Sequence, residues 1–232
     1  MKKHRFLLRK NLEAQDISSE DKELVNQLSN VLRLKVGARI FLFDGSGNEI
    51  LAEISFLNRQ KAVFRRIETL SKGGNEMRKV TLYCAILKKE NFEIVVQKAT
   101  EIGVETIVPI VTDRTVKFGL KEERLIKIIK EASEQSGRII ETKMETPLKF
   151  TEAIDKARQD NDLNIVFDQS GERVGKLKSD KVGIFVGPEG GWANDELAFA
   201  RKAGFVIGLL GRLTLRAETA AIIASFEAVN NF

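Results

Sequence analysis

The sequence predicts an α/β protein with a largely parallel sheet, preceded by a small β domain. Three observations carry this. From residue 80 onward, short apolar runs alternate with helical patterns, as in a doubly wound sheet. The first seventy residues read mainly as extended, with turn signals between the runs. Between the two lies SKGGNEMRK (71–79), polar and carrying Gly73-Gly74, which sets the expected boundary as 1–72 and 73–232.

Taken in order, HRFLLR opens the chain as a strand, and SEDKELVNQLSNVL reads as a helix capped by Ser18 or Ser19. VGARIFLFDG, EILAEISFL and KAVFRRIE follow as strands, the first two joined by the turn DGSG, so a barrel-like β domain with one helix is expected. In the second part, VTLYCAIL, ETIVPIV, LNIVF, KVGIFV and FVIGLL are the short apolar runs that a parallel sheet buries on both faces. ENFEIVVQKATEIG places Phe92, Val95, Val96, Ala99 and Ile102 on one helical face and ends on Gly103. Helices are also expected at 124–137, 151–159, 194–204 and 217–230.

Composition narrows the function. No stretch approaches the roughly 20 apolar residues of a membrane span, and MKKHRFLLRK lacks the apolar core of about 7–15 residues found in a signal peptide. Cys84 is the single cysteine and His4 the single histidine, so a disulfide framework or a Cys/His metal site is not expected. A cytoplasmic, metal-free protein is the expectation. The net charge of +5 is concentrated: residues 1–72 hold 14 Lys+Arg against 9 Asp+Glu, whereas the remainder holds 24 of each. A basic region set against a neutral one is the footprint of polyanion binding, or simply a solvated basic surface.

Ligands of open α/β sheets bind beyond the carboxyl ends of the strands. Three loops are expected there: FDQSGERVG, GPEGGWAND and GRLTLRAET. GPEGG lacks the lysine of a phosphate-binding loop and the G-x-G-x-x-G spacing of a dinucleotide site, and Glu189 would repel a phosphate. A cationic or neutral ligand suits it better, and S-adenosylmethionine, a sulfonium without phosphate, is such a ligand. On the residues alone this does not exclude a plain structural turn, for which Pro-Glu-Gly-Gly is good chemistry and which is the simpler account.

FVGPEGGWANDEL, LLGRLTLRAETA and KKENFEIVVQKATEIGV, together with IVPIVTDRTV, EASEQSGR and the N-terminal HRF…LSNVLRLKVGARIFLFDGSG, resemble the RsmE family of small-subunit rRNA methyltransferases over nearly the whole chain. The resemblance implies a SPOUT-superfamily catalytic domain with a C-terminal deep trefoil knot, a PUA-like RNA-binding β barrel before it, and a homodimer. It also implies S-adenosylmethionine-dependent methylation of ring nitrogen 3 of a uridine near the decoding centre of 16S rRNA.

Mapped by that resemblance, the cofactor residues are Phe167, Asp168, Val186, Gly187, Pro188, Glu189, Gly190, Gly191, Leu210, Gly211, Leu213, Leu215, Arg216 and Thr219. Ring nitrogen 3 must lose its proton before it attacks a methyl group; an arginine aimed at the flanking carbonyls would stabilise the anion, and a carboxylate could take the proton. Arg138 and Arg114 are the arginines favoured, on the RNA side and across the dimer interface; Glu189 and Glu218 are the carboxylates. Arg5, Arg33 and Gln135 join Arg114 and Arg138 as RNA contacts. Two departures from the family pattern stand out. Asn26 and Gln27 occupy the neighbourhood where many members carry a histidine, and Leu213, beside Arg212, stands where an arginine is common. A SPOUT methyltransferase with another RNA target and a non-catalytic RNA-binding assembly factor are the alternatives.

Overall fold

The computed structural model describes residues 4–72, 78–116 and 119–230, so the Gly73-Gly74 boundary lies outside the described residues. Contacts divide the chain into two units, Met1–Asn75 with Ser133–Glu141, and Glu76–Ala132 with Thr142–Phe232.

The first unit is a five-stranded sheet of β1 (Arg5–Leu7), β2 (Asp16–Ser19), β3 (Arg39–Phe43), β4 (Glu49–Leu57) and β5 (Ala62–Ser71). The order is β1-β3-β4-β5-β2, antiparallel except for the parallel β1–β3 pair. Ile40 and Leu42 point into the core beside Phe6, Leu28, Ile54 and Phe64, as strand alternation requires. Asp44 closes the turn after β3 by accepting the amides of Ser46 and Asn48.

The expected helix is short: α1 (Lys22–Asn26) runs into one π turn, Gln27–Val31. Its cap is Asp21, whose carboxylate accepts the amides of Glu23 and Leu24, and not Ser18 or Ser19. Those serines belong to β2 and pair with Val63 and Ala62. Sheet pairing holds them ahead of the helix, where Ser19 Oγ accepts from Asp21 N at 3.3 Å, while aspartate caps as well as serine does. Beyond the π turn, Arg33 has φ 52°, and among the described residues no other non-glycine has positive φ.

Ser133–Glu141 joins this unit through identifiable bonds. Leu7 N donates to Glu134 Oε1 at 3.0 Å, Glu141 N donates to Gly45 O at 2.9 Å, and Arg9 pairs with Glu141.

In the second unit, β6 (Lys79–Ala85), β7 (Thr106–Val111), β8 (Lys143–Met144), β9 (Leu148–Lys149), β10 (Leu163–Arg173), β11 (Lys181–Val186) and β12 (Val206–Leu209) form one parallel sheet. Its order is β12-β10-β11-β6-β7-β8, with β9 also on β7. The helices are α2 (Lys89–Ile102), α3 (Glu122–Ser136), α4 (Phe150–Asp160), α5 (Asn194–Lys202) and α6 (Ala217–Asn230). Both sheet faces are covered, and the sequence alternates accordingly. Val80, Leu82 and Cys84 of β6 meet residues of α2, α3 and α6, while Tyr83 and Ala85 meet residues of α4 and α5. Tyr83 and Phe185 are register partners on neighbouring strands and stack with centroids 4.3 Å apart, worth about 0.5–1.5 kcal/mol beyond their burial. Gly103 ends α2 at φ 114°, a left-handed cap. No described helix is long and apolar enough to cross a membrane.

One expected loop is part of a strand. β10 does not end at Phe167 but continues to Arg173. Phe167 and Glu172 both face Gly208 of β12, so residues 168–171 are expelled from the ladder as a bulge. Asp168 Oδ1 closes the bulge by accepting the Ser170 amide at 2.8 Å. The resumed pairing requires close backbone approach. A Cβ on Gly171 would stand 2.7 Å from Gly208 C and Ile207 O, where the obstacle is backbone and cannot give. Gly171→Ala is therefore expected to cost about 1–3 kcal/mol, read as a lower midpoint in thermal unfolding; an unchanged midpoint would show that the bulge tolerates a side chain.

Candidate functional site

The sheet brings Phe167, Val186 and Leu209 to one edge, because β10 lies between β11 and β12 and all three run the same way. The chain leaving each strand, with the start of α2 and the first turn of α6, walls a cavity of about 660 Å³. Two clefts of similar volume lie elsewhere, about 730 Å³ in the first unit and about 710 Å³ beside the β10 bulge. The strand-edge cavity is the one where three strand ends converge, which is where open α/β sheets hold ligands.

Its central wall is Gly187–Gly191. Gly187 lies so close to the Trp192 ring that a Cβ there would be 3.0 Å from Cε2. The indole Nε1 donates to Phe167 O at 2.9 Å, tying this turn to the end of β10. Gly191 N donates to Pro188 O at 2.9 Å, and Gly191 adopts φ 69°, which a larger residue resists. Arg114 Nη1 donates to Gly190 O at 2.8 Å from outside. Buried Glu196 holds the following stretch, accepting from Asp113 N and Ala193 N at 3.0 and 2.8 Å. Glu189 is exposed, lines the cavity and accepts a long 3.4 Å bond from Lys88 N.

Ionisable groups on the wall are Asp168, Glu189 and Glu218 against Lys88 and Arg216. The balance is one negative charge. Cys84 lies buried beneath them; burial first, and then the charge of Glu189, push its thiol well above the usual range. It stays neutral, and a neutral buried thiol is a poor nucleophile.

The expected cofactor residues are largely brought together. Phe167, Asp168, Val186–Gly191, Leu210, Leu215 and Arg216 line the cavity, and Glu218 joins them. Gly211, Leu213 and Thr219 do not line it. Leu213 is 79% exposed, and its carbonyl accepts from Gln169 Nε2 at 3.3 Å. Four of the expected RNA contacts, Arg5, Arg33, Gln135 and Arg138, belong to the first unit. There Arg5 pairs with Glu49, sits over the Phe41 ring and lies against Gly137, next to Arg138, whose Nε donates to Ile140 O. Arg114 belongs to the second unit.

Sequence reasoning did not single out Lys88, Asn91, Gln169, Trp192, Ala217 or Ala220 on the wall, and it held Thr214 only as part of the loop 210–216. Lys88 and Asn91 follow β6, so the strand-end rule applied to β6 would have found them. Trp192 stood in GPEGGW itself, where a lone tryptophan after a glycine turn signals a packing partner.

Comparison with known proteins agrees with this geometry. A family model described as "RNA methyltransferase domain" matches residues 75–227, and one described as "RNA methyltransferase PUA domain" matches 28–65. Ribosomal RNA small subunit methyltransferase E of Rickettsia conorii is 33% identical over 86% of this chain and 84% of its own. The protein of that name from Bacillus subtilis is 28% identical over 87% and 85%. The crystal structure of the Neisseria gonorrhoeae protein of the same name, bound to S-adenosyl methionine, superposes with TM-score 0.88 at 30% identity, covering 97% of each chain. With this identity, this coverage and an RNA methyltransferase model over most of its length, the chain belongs to the ribosomal RNA small subunit methyltransferase E family.

Proposed function

We propose that the chain transfers a methyl group from S-adenosylmethionine to ring nitrogen 3 of a specific uridine in 16S rRNA, acting on the small ribosomal subunit in the cytoplasm. The observation that carries this is the strand-edge cavity: glycine backbone on one wall, a carboxylate excess of one, and a volume within the roughly 300–1,000 Å³ of small-molecule sites. A ligand bearing a sulfonium and no phosphate fits that wall. When bound, it supplies an electrophilic methyl group. Gly187–Gly191, Leu210 and Leu215 would hold its adenine and ribose with backbone groups, and Glu189 and Asp168 would face its hydroxyls and cationic end.

The chain's own part in the chemistry is proton removal and charge stabilisation. The imide proton leaves before attack, and the resulting anion spreads over the two flanking carbonyl oxygens. Arg138 and Arg114 are proposed to stabilise that anion, while Glu189 or Glu218 accepts the proton. Arg5, Arg33 and Gln135 are proposed to contact RNA with them. Arg33 is supported by its positive φ, an uncommon conformation for a side chain of that size. Residues 1–72 are assigned to RNA binding and 73–232 to transfer, with the C-terminal segment knotted as the family resemblance implies.

A homodimer completes the reading. α6 is rich in apolar residues, and Phe226 is 56% exposed beside exposed Glu227 while Ile222 and Ile223 are half-buried. A second copy covering this face would bury these apolar side chains.

Three outcomes test these assignments. Reverse transcription of 16S rRNA should stop at one uridine in cells with the protein and read through in cells lacking it, since a methyl at ring nitrogen 3 blocks pairing; an unchanged stop removes that target. Glu189→Ala should weaken S-adenosylmethionine binding about ten- to hundredfold in calorimetry, the loss of a hydrogen bond to a charged group; unaltered affinity would assign Glu189 to the turn alone. Arg138→Ala should lower methyl transfer by about 10²-fold with cofactor affinity retained, and equal losses in both would count against a role on the RNA side.

A further inference from the structure

We propose that the cleft beside the β10 bulge is a second RNA contact, a groove that takes the phosphate backbone of the substrate strand. This rests on the proposed RNA methyltransferase reading and adds a surface outside the strand-edge cavity. The groove is about 710 Å³ and is lined by the end of β10, the connection 174–179, Arg201 of α5, and Phe205–Ile207. Arg173, Lys176, Lys178 and Arg201 stand along it against a single acid, Glu172.

Three features distinguish it from an ordinary solvated surface. The first is charge concentration: residues 73–232 carry as many acids as bases, yet four cations meet here. Arg173, Lys176 and Lys178 are exposed and form no ion pair among the described residues. Cations gathered in excess of their counter-charges repel one another, and a polyanion relieves that repulsion.

The second is fixed presentation. Leu177 is buried, so Lys176 and Lys178 on either side of it are left at the surface. Arg78 clamps the same stretch, donating to Ser179 O at 2.8 Å and Leu177 O at 3.0 Å. Less ordering entropy is then lost when phosphates dock.

The third is continuity with the cavity. Arg201 Nη2 donates to Ser170 Oγ at 3.4 Å, and that hydroxyl donates to Asp168 Oδ1 at 2.6 Å. Asp168 lines the strand-edge cavity while Ser170 and Arg201 line the groove. One short chain of bonds therefore connects the two. Ser179 adds a hydroxyl of the kind that phosphate oxygens accept from.

The test is the triple variant Arg173→Gln, Lys176→Gln, Lys178→Gln, compared with Lys79→Gln, Lys143→Gln, Lys181→Gln, which removes equal charge from other strands of the same unit. Filter binding of an in vitro 16S rRNA transcript over a salt series is the readout, with calorimetry of S-adenosylmethionine and thermal unfolding as checks on folding. The groove variant should bind the transcript about tenfold or more weakly, with a salt slope shallower by about 2, near 0.7 per lost phosphate contact on a single strand. Its cofactor affinity and unfolding midpoint should match the parent. Unchanged RNA affinity and slope would overturn the proposal, as would an equal loss in the comparison variant. Methyl transfer by the parent protein is measured separately: its absence would overturn the methyltransferase reading, while RNA binding would still decide the groove.

Discussion

The cavity depends on two backbones touching with no side chain between them. β10 is paired on both edges, so residues can leave it only where the ladder can resume at once. The chain meets that condition by pairing Phe167 and Glu172 with the same residue, Gly208, and by having glycine at 171, where the returning strand presses on β12. Expelling 168–171 puts the Asp168 carboxylate on the cavity wall. Phe167, the last residue before the bulge, uses its carbonyl to hold Trp192, and Trp192 packs on Gly187 of the neighbouring turn. A steric allowance at one end of the sheet thus fixes the relation between two walls of the pocket.

Charge is separated more finely than the division at residue 72 suggests. The surplus of basic residues lies in the first part of the chain, and the remainder balances to zero. Within that neutral remainder the strand-edge cavity is acidic by one charge, whereas the cleft beside the bulge carries four cations and one acid. The two differ in sign although only one residue separates Asp168 from Ser170. Net charge alone predicts nothing about such a pair of surfaces, since equal sums arise from mixing or from segregation.

Much of the architecture was legible because hydrophobic period maps directly onto burial. β6 and β11 alternate between the two cores, and α2 presents Phe92, Val95, Val96 and Ala99 on one face, as the residue spacing demands. What was not legible depends on partners distant in sequence. Nothing local in DISSED tells Ser19 that it will pair with Ala62 and leave capping to Asp21. Nothing in FDQSGER signals that the strand resumes, since the resumption depends on Gly208 being small. Ser133–Glu141 reads as a helix end, yet its bonds run to Leu7, Arg9 and Gly45. The candidate site followed the same rule. The strand-end loops predicted most of its wall; among the missing members, Lys88 and Asn91 come from a strand end left out of the argument and Trp192 is a side chain folding back.

The same geometry bears on whether GPEGG is merely a turn. Its shape is supported from several directions: the Trp192 ring on Gly187, the Pro188 carbonyl bonded to Gly191 N, the positive φ of Gly191, and Arg114 on the Gly190 carbonyl. Glu189 contributes to none of these, and its bond to Lys88 N is long and exposed. A residue whose task was to build the turn would be held by it. Glu189 is instead carried on a turn that others hold, with its carboxylate on the wall of a cavity. An anion presented by a rigid, glycine-lined backbone repels phosphate and attracts a cation, so what made the motif a poor phosphate cradle is what suits it to a sulfonium ligand.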